Sequence, residues 1–279
     1  MSINKKLPAV LTIAGSDSGG GAGIQADLRT FNAFGVYGCS AITAATSQNP
    51  LEVRRVDVLP ADAVRCQIES VLDAFPVRFA KTGMLANREI VECVAETVSE
   101  RSIDLVVDPV MVSTSGTRLL AESAVSAIKE RLFPLAKWIT PNIPEAELIC
   151  GMKINSASDL AVASRRLYEQ FGCNIILKSG HLLNADSVTD VVCFKGKLFA
   201  LSSPRINVSS NTAHGTGCTL SAALTANLAL NKSWEEAVKT AKAFVCGSLA
   251  ECAALSETLC QMYPPEKSWL EQIFLTYCE

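Results

Sequence analysis

Two histidines in 279 residues, and no C-x-x-C pair among eleven cysteines, leave little from which to build a zinc site. A formal net charge of −3 removes the broad basic surface that nucleic acid would require. No uninterrupted apolar run approaches the ~20 residues of a membrane helix, so no membrane association is expected. The stretch Met1–Pro8 is polar, with two lysines and no apolar h-region, so a secretory leader is not expected either. Repeats, low-complexity segments and linkers are also missing. What remains is 49% hydrophobic, enough for a large core. Its scattered cysteines read as free thiols in a reducing cytoplasm. The length suits one domain spanning 1–279, since the prior of ~150 residues per domain is soft.

Two absences narrow the nucleotide chemistry. Leu7–Ala14 runs into the glycine-rich turn Gly15-Ser-Asp-Ser-Gly-Gly-Gly-Ala-Gly23, and Gln25–Phe34 follows at helical spacing. Gly21-Ala-Gly23-Ile-Gln-Ala26 satisfies G-x-G-x-x-G/A, yet no acidic residue lies between Asp27 and Glu52 to hold a ribose. A dinucleotide-dependent oxidoreductase is therefore disfavoured. A Walker A loop fails as well, because no Gly-Lys-Ser/Thr follows this turn.

Apolar segments then alternate in period. Tyr37–Thr46 is extended and ends in Ser47-Gln48-Asn49. Ala61–Ala74 is helical, Val77–Ala80 extended, Asn87–Arg101 helical and Asp104–Asp108 extended. Ser123–Leu132 is helical, Trp138–Thr140 extended, Ser158–Phe171 helical and Asn174–Leu177 extended. Val188–Phe194 and Leu198–Ser202 flank the hairpin signal Lys195-Gly-Lys197. Trp234–Ala254 and Pro265–Phe274 read as C-terminal helices. This βαβα pattern predicts an α/β fold with a doubly wound, mostly parallel sheet. Ligands of such sheets sit beyond the carboxyl ends of the strands. Asp17, Gln48, Lys81, Asp108, Asn142, Glu145, Lys178 and Cys218 all fall at such positions, each a solvated loop residue taken alone but together a candidate polar site.

The most informative stretch begins at Asn211. Gly215-Thr216-Gly217 is a turn that hands backbone N–H groups to the start of an Ala/Leu-rich helix, an anion cradle. Cys218 sits at that terminus, where the helix field is expected to lower a thiol pKa. Anion cradle and ionisable side chain together suggest phosphoryl transfer; a glycine turn before a core helix with an inert thiol is the alternative.

Leu11-Thr-Ile-Ala-Gly-Ser-Asp17, Gly20-Gly-Ala-Gly-Ile-Gln-Ala-Asp27, Thr140-Pro-Asn-Ile-Pro-Glu-Ala146 and His214-Gly-Thr-Gly-Cys-Thr219 together resemble the hydroxymethylpyrimidine/phosphomethylpyrimidine kinases of the ribokinase-like superfamily. The resemblance spans roughly Leu7–Ala254. It implies a three-layer α/β/α fold, ATP and Mg²⁺ as cosubstrates, and a homodimer. It further implies phosphorylation of 4-amino-5-hydroxymethyl-2-methylpyrimidine, and in many members of its monophosphate, in thiamine biosynthesis. By resemblance, Gly15, Ala22, Asp27, Gln48, Met84 and Val110 belong to the substrate pocket. Asp108 and Glu145 belong to the metal region, and Asn142, Lys178 and Thr216 to the nucleotide phosphates. Cys218 takes the catalytic position, with Gly215 and Gly217 beside it. A glycine in Ser18-Gly-Gly-Gly21 where serine is commoner, Ser179 where glycine often follows the lysine, and Ala213 in place of threonine depart from the pattern. The same motif set also accommodates pyridoxal kinases, and Gln48 does not decide between the two rings. A non-catalytic ligand sensor would be expected to have lost Cys218, Asp108 or Lys178, and all three are present.

Overall fold

Strands buried on both faces, each followed by an amphipathic helix, produce the layers. The computed structural model describes residues 6–111, 120–180, 186–209 and 211–278. In chain order come β1 (Ala9–Asp17), α1 (Gly23–Ala33), β2 (Tyr37–Gln48), β3 (Val53–Val58), α2 (Ala61–Ala74), β4 (Val77–Thr82) and α3 (Arg88–Glu100). Then follow β5 (Asp104–Val107), α4 (Glu122–Ala127), β6 (Ala136–Ile139), α5 (Ile143–Cys150), α6 (Ala157–Phe171) and β7 (Asn174–Leu177). The chain closes with β8 (Ser187–Phe194), β9 (Lys197–Pro204), α7 (Thr216–Ala229), α8 (Trp234–Ala250), β10 (Ala253–Ala254), β11 (Cys260–Gln261) and β12 (Phe274–Cys278).

One ten-stranded sheet has the order β12-β9-β8-β7-β6-β5-β4-β1-β2-β3. Its centre, β2-β1-β4-β5-β6-β7, is parallel, and the margins are antiparallel. Alternate side chains feed opposite layers, as the two-residue period requires. Leu105 and Val107 pack with α2 to α6 through residues such as Ile68, Val94 and Leu160. Val106 and Trp138 instead meet Leu220 of α7 and Val238 of α8. Phe31 of α1 joins Ala222 and Ala226 of α7 on that same side of the sheet. The expected three-layer, doubly wound fold is therefore present. The strand order reverses beside β1, the switch point at which such sheets leave a crevice. Among the described residues no helix is long and apolar enough to cross a membrane.

The structure departs from the sequence expectations near the sheet edges. Pro265–Phe274 is not a helix: a single 3₁₀ turn, Leu270–Gln272, leads into β12, which pairs antiparallel with β9. Trp269 anchors that segment by donating its indole N–H to Glu251 Oε1 at 2.9 Å. The same Glu251 accepts the Glu266 N–H, so its carboxylate ties down the chain beyond α8. Accordingly α8 stops at Ala250, and Ala253–Ala254 pairs with β11 instead of extending the helix to Ala254. Ser123–Leu132 divides into α4 and a π turn, Ile128–Leu132. β3, to which no sequence element corresponded, is an edge strand exposed along its whole length.

A buried ion pair braces the α8 side. Lys242 Nζ lies 2.6 Å from Asp190 Oδ2, while Asp190 Oδ1 accepts the Ser179 N–H at 2.9 Å. Removing one member of such a pair strands the other in low dielectric, at a typical cost of ~3–5 kcal/mol. Asp190→Ala is expected to lose stability of that order in urea denaturation. A change of under ~0.5 kcal/mol, the range of ordinary surface substitutions, would show that the pair carries no structural weight.

Candidate active site

Three strand ends and one helix start supply the reactive groups. Asp108 follows β5 and is almost fully buried. Its Oδ1 is 3.3 Å from Lys178 Nζ and 3.4 Å from Thr140 Oγ1, and its Oδ2 is 3.4 Å from Ser221 Oγ. All three contacts are long, so this carboxylate keeps acceptor capacity. Lys178 follows β7 and bridges in parallel to Asn142, which follows β6. Burial pulls the Lys178 ammonium down, but Asp108 and then Glu145 more than restore it, so it stays above its ordinary value and remains charged.

Asn142 is the N-cap of α5. Its side chain accepts the Glu145 N–H at 2.9 Å, while Glu145 Oε2 returns to the Asn142 N–H at 2.9 Å, a capping box with Pro144 in the first turn. Glu145 Oε1 reaches across to the Met111 N–H at 3.0 Å. Burial raises the Glu145 carboxyl to about 7, with Lys178 opposing and Asp108 adding to the rise. Between Asp108 and Met111, Val110 has φ +45°, the left-handed region that a β-branched residue rarely enters. Strain of this kind collects at functional sites.

The helix start is made by close approach of two glycine turns. Gly215, the N-cap of α7, has φ +87°, and a Cβ there would lie 1.9 Å from the Gly21 carbonyl oxygen. Only glycine satisfies both conditions. Two residues on, a Cβ at Gly217 would be 3.2 Å from Lys178 Nζ and 3.4 Å from Asp108 Oδ2. The turn through Thr216 and Gly217 thus covers the Asp108–Lys178 pair directly. Ser221, one helical turn beyond Gly217, was within reach of sequence reasoning through its i+4 spacing but was not singled out.

Cys218 corrects one expectation. It is half-buried, the third residue of α7, yet its thiol is pushed up to about 11 rather than down. Burial is the largest cause; Lys81 opposes it, and Asp27 and Asp108 add to it. The helix field and the Gly23 N–H that faces the sulfur do not overcome desolvation beside two carboxylates. The resting sulfur is therefore a thiol at neutral pH.

On the other side of the turn lies the proposed ring pocket. A Cβ at Gly15 would fall 2.6 Å from Met84 Cε, so these two positions adjoin. Ala22 begins α1 and donates its N–H to Asp17 Oδ2 at 2.8 Å. Gln48 ends β2, and its side-chain nitrogen is 3.1 Å from His214 Nε2. His214 also meets Asp17 Oδ2 at 3.1 Å, partners that no sequence signal had assigned. Asp27 has no exposed surface: Thr12 Oγ1 donates to it at 2.6 Å and Lys81 Nζ lies 2.9 Å away. Burial depresses the Lys81 ammonium, but Asp27, then Cys218 and Asp108, hold it well above its usual value. Asp27 thus touches Lys81 and Thr12.

Residues 17–261 match the phosphomethylpyrimidine kinase family. The chain is 48% identical over 245 residues to the hydroxymethylpyrimidine/phosphomethylpyrimidine kinase of Haemophilus influenzae, covering 86% of this chain and 90% of that protein. Among solved structures, the pyridoxal kinase from Staphylococcus aureus in complex with AMP-PCP superposes with a TM-score of 0.87 at 33% identity, over 98% of this chain and 99% of that one. The phosphomethylpyrimidine kinase from Clostridium difficile gives a TM-score of 0.75 at 40% identity, over 85% and 97% of the two chains.

The raised thiol leads to a measurable pH dependence. Only thiolate is alkylated, and below a pKa of about 11 its fraction grows tenfold per pH unit. Alkylation of Cys218 by iodoacetamide, followed by site-resolved mass spectrometry, is expected to climb without a plateau through pH 9. A plateau near pH 7 would mean that the helix terminus wins after all.

Proposed function

Because the chain belongs to the phosphomethylpyrimidine kinase family, we propose that it transfers the γ-phosphoryl group of ATP to the hydroxymethyl oxygen of 4-amino-5-hydroxymethyl-2-methylpyrimidine. In a second reaction the monophosphate is phosphorylated in turn, which places the enzyme in thiamine biosynthesis. One observation carries the reading: the turn before Cys218 lies against Gly21 at Gly215 and over Asp108 and Lys178 at Gly217, while the Gly21 loop carries Asp17 and Ala22 and His214 joins Asp17 to Gln48. The whole chain is read as one kinase domain, because a single sheet runs from β1 to β12.

The chemistry follows from these groups. The substrate oxygen forms a bond to the γ-phosphorus as the bond to the β,γ-bridging oxygen breaks. Charge on the transferred group meets the Lys178 ammonium and the α7 N-terminal N–H groups, with Thr216 and Asn142 beside them. A loose transition state asks little of a base, so the neutral Cys218 thiol orients the hydroxyl, whose proton passes late to a non-bridging oxygen of the transferred phosphoryl group. Mg²⁺ suits this donor set, since it is usually held by one or two carboxylates together with substrate phosphates, and the long contacts of Asp108 leave that carboxylate available. Asp108 would hold the ion, with Glu145 behind it; when bound, the ion supplies charge neutralisation on the phosphates. Gln48 reads the aminopyrimidine edge beside Met84, Gly15 and Val110.

A second reading, pyridoxal kinase, is favoured by the likeness to the Staphylococcus aureus structure. The higher identity to the Haemophilus influenzae enzyme supports the first. With ATP and Mg²⁺, kcat/KM for the hydroxymethylpyrimidine is expected to exceed that for pyridoxal by at least about 10-fold, and chelation to abolish turnover. Gln48→Ala should raise KM for the pyrimidine by roughly tens-fold, since it leaves the ring's polar edge without its partner at ~1–3 kcal/mol, and leave KM for ATP unchanged. Preference for pyridoxal would transfer the assignment to the second reading.

Cytoplasmic residence is proposed from eleven unpaired cysteines. A homodimer is proposed through β3, where Leu51, Val53, Val56 and Val58 are exposed on an edge strand that offers unpaired backbone groups. In sedimentation, Val56→Glu is expected to shift the protein to monomer; an unshifted dimer would place the interface elsewhere.

A further inference from the structure

His214 precedes the N-cap of α7 and reaches back over the site. Its Nε2 is 3.1 Å from Asp17 Oδ2 and 3.1 Å from the side-chain nitrogen of Gln48. One ring nitrogen cannot donate to the first and accept from the second. Asp17 decides which role it takes. This carboxylate is nearly buried; its Oδ1 accepts the Gly19 N–H at 2.9 Å and its Oδ2 the Ala22 N–H at 2.8 Å. Burial alone would raise it, but His214 and these two N–H groups hold it below the ordinary carboxylate range. An ionised carboxylate only accepts, so Nε2 carries hydrogen whether the imidazole is neutral or charged. Two N–H groups cannot face one another. The Gln48 amide is therefore assigned with its oxygen toward Nε2–H and its NH₂ turned away, an orientation set by the hydrogen-bond network.

We propose that His214 is a positioning residue for ring recognition: held by Asp17 with its proton on Nε2, it orients the Gln48 amide so that the NH₂ is offered to the substrate. A donor presented in this way selects a heteroaromatic ring with an unprotonated nitrogen at its edge. The inference rests on the reading that Gln48 contacts the ring. Packing around the imidazole agrees with it. A Cβ at Gly21 would stand 2.9 Å from His214 Cδ2 and 2.8 Å from Gln261 Oε1, so glycine leaves the ring its space. Gln261 is itself anchored by donating to the Asn211 carbonyl at 3.1 Å. Because Gly215 follows His214 directly, the residue that orients the ring reader also adjoins the turn that carries Cys218.

The test combines kinetics with NMR on the intact enzyme. His214→Phe is expected to raise KM for the hydroxymethylpyrimidine about 10-fold, by loss of the ordered amide, with KM for ATP and melting temperature unchanged. His214→Gln, whose amide can donate to Asp17, should recover most of the affinity. In a Gln48→Ala background, His214→Phe should add nothing. With only two histidines in the chain, a long-range ¹H–¹⁵N spectrum with His181→Asn as the assignment control should show the His214 proton on Nε2. An Nδ1-only proton overturns the proposal. So does an unchanged KM in His214→Phe when Gln48→Ala raises it, or additive effects in the double variant. If Gln48→Ala itself leaves KM unchanged, the ring-contact reading fails, and this proposal fails with it.

Discussion

Two backbone turns in contact govern the site. With Gly215 pressed on the carbonyl of Gly21, no side chain fits between the loop after β1 and the start of α7. That contact gives the ring side and the phosphoryl side a common wall. Asp17 and Ala22 are built on one turn, Cys218 and the N–H groups over Asp108 and Lys178 on the other. A hydroxymethyl group extending from a ring held by the first turn would lie close to the second, the proximity that phosphoryl transfer to an alcohol needs.

Charge beneath this wall is balanced in pairs. Asp27 faces Lys81, Asp108 faces Lys178, and Asp190 faces Lys242, all largely buried. For Lys81 and Lys178 the neighbouring carboxylates offset the burial that would discharge them, and with burial, the larger cause, Asp27 and Asp108 keep Cys218 neutral. A helix terminus contributes only partial charge, which does not offset the desolvation of a thiolate and the repulsion from two nearby carboxylates. The positive charge beneath the turns therefore resides in lysines, beside a thiol that is neutral. Asp190 extends the arrangement outward by holding the Ser179 N–H next to Lys178, so a pair distant from any substrate helps set the lysine's backbone.

Several parts of this were legible in the chain itself. The βαβα alternation gave the layers, and glycines at 215 and 217 before an Ala/Leu run gave the helix start. Polar residues closing one apolar strand after another indicated the site edge of the sheet, and Lys81, Asp108, Lys178 and Cys218 do lie near one another. The capping box of Asn142 and Glu145 is spelled out by Asn-Ile-Pro-Glu. Pro265–Phe274 was misleading because its apolar spacing suits a helix, and only the bond from Trp269 to Glu251 and the free edge of β9 turn its end into a strand. β3 carried no clear signal, since an exposed edge strand has no buried face to impose alternation.

Local order, then, is written along the chain: periodicity, turn chemistry and caps depend on neighbours within a few residues. The sequence also determined which chemical groups are available at the strand ends. The tertiary structure alone decided their states and partners. Whether Cys218 is ionised, which cation Asp27 is paired with, and which nitrogen of His214 holds a proton all depend on groups tens to hundreds of residues away in sequence. Desolvation and charge–charge interaction act through space and grow as water is excluded, so no local pattern can encode them until the chain has closed around the site.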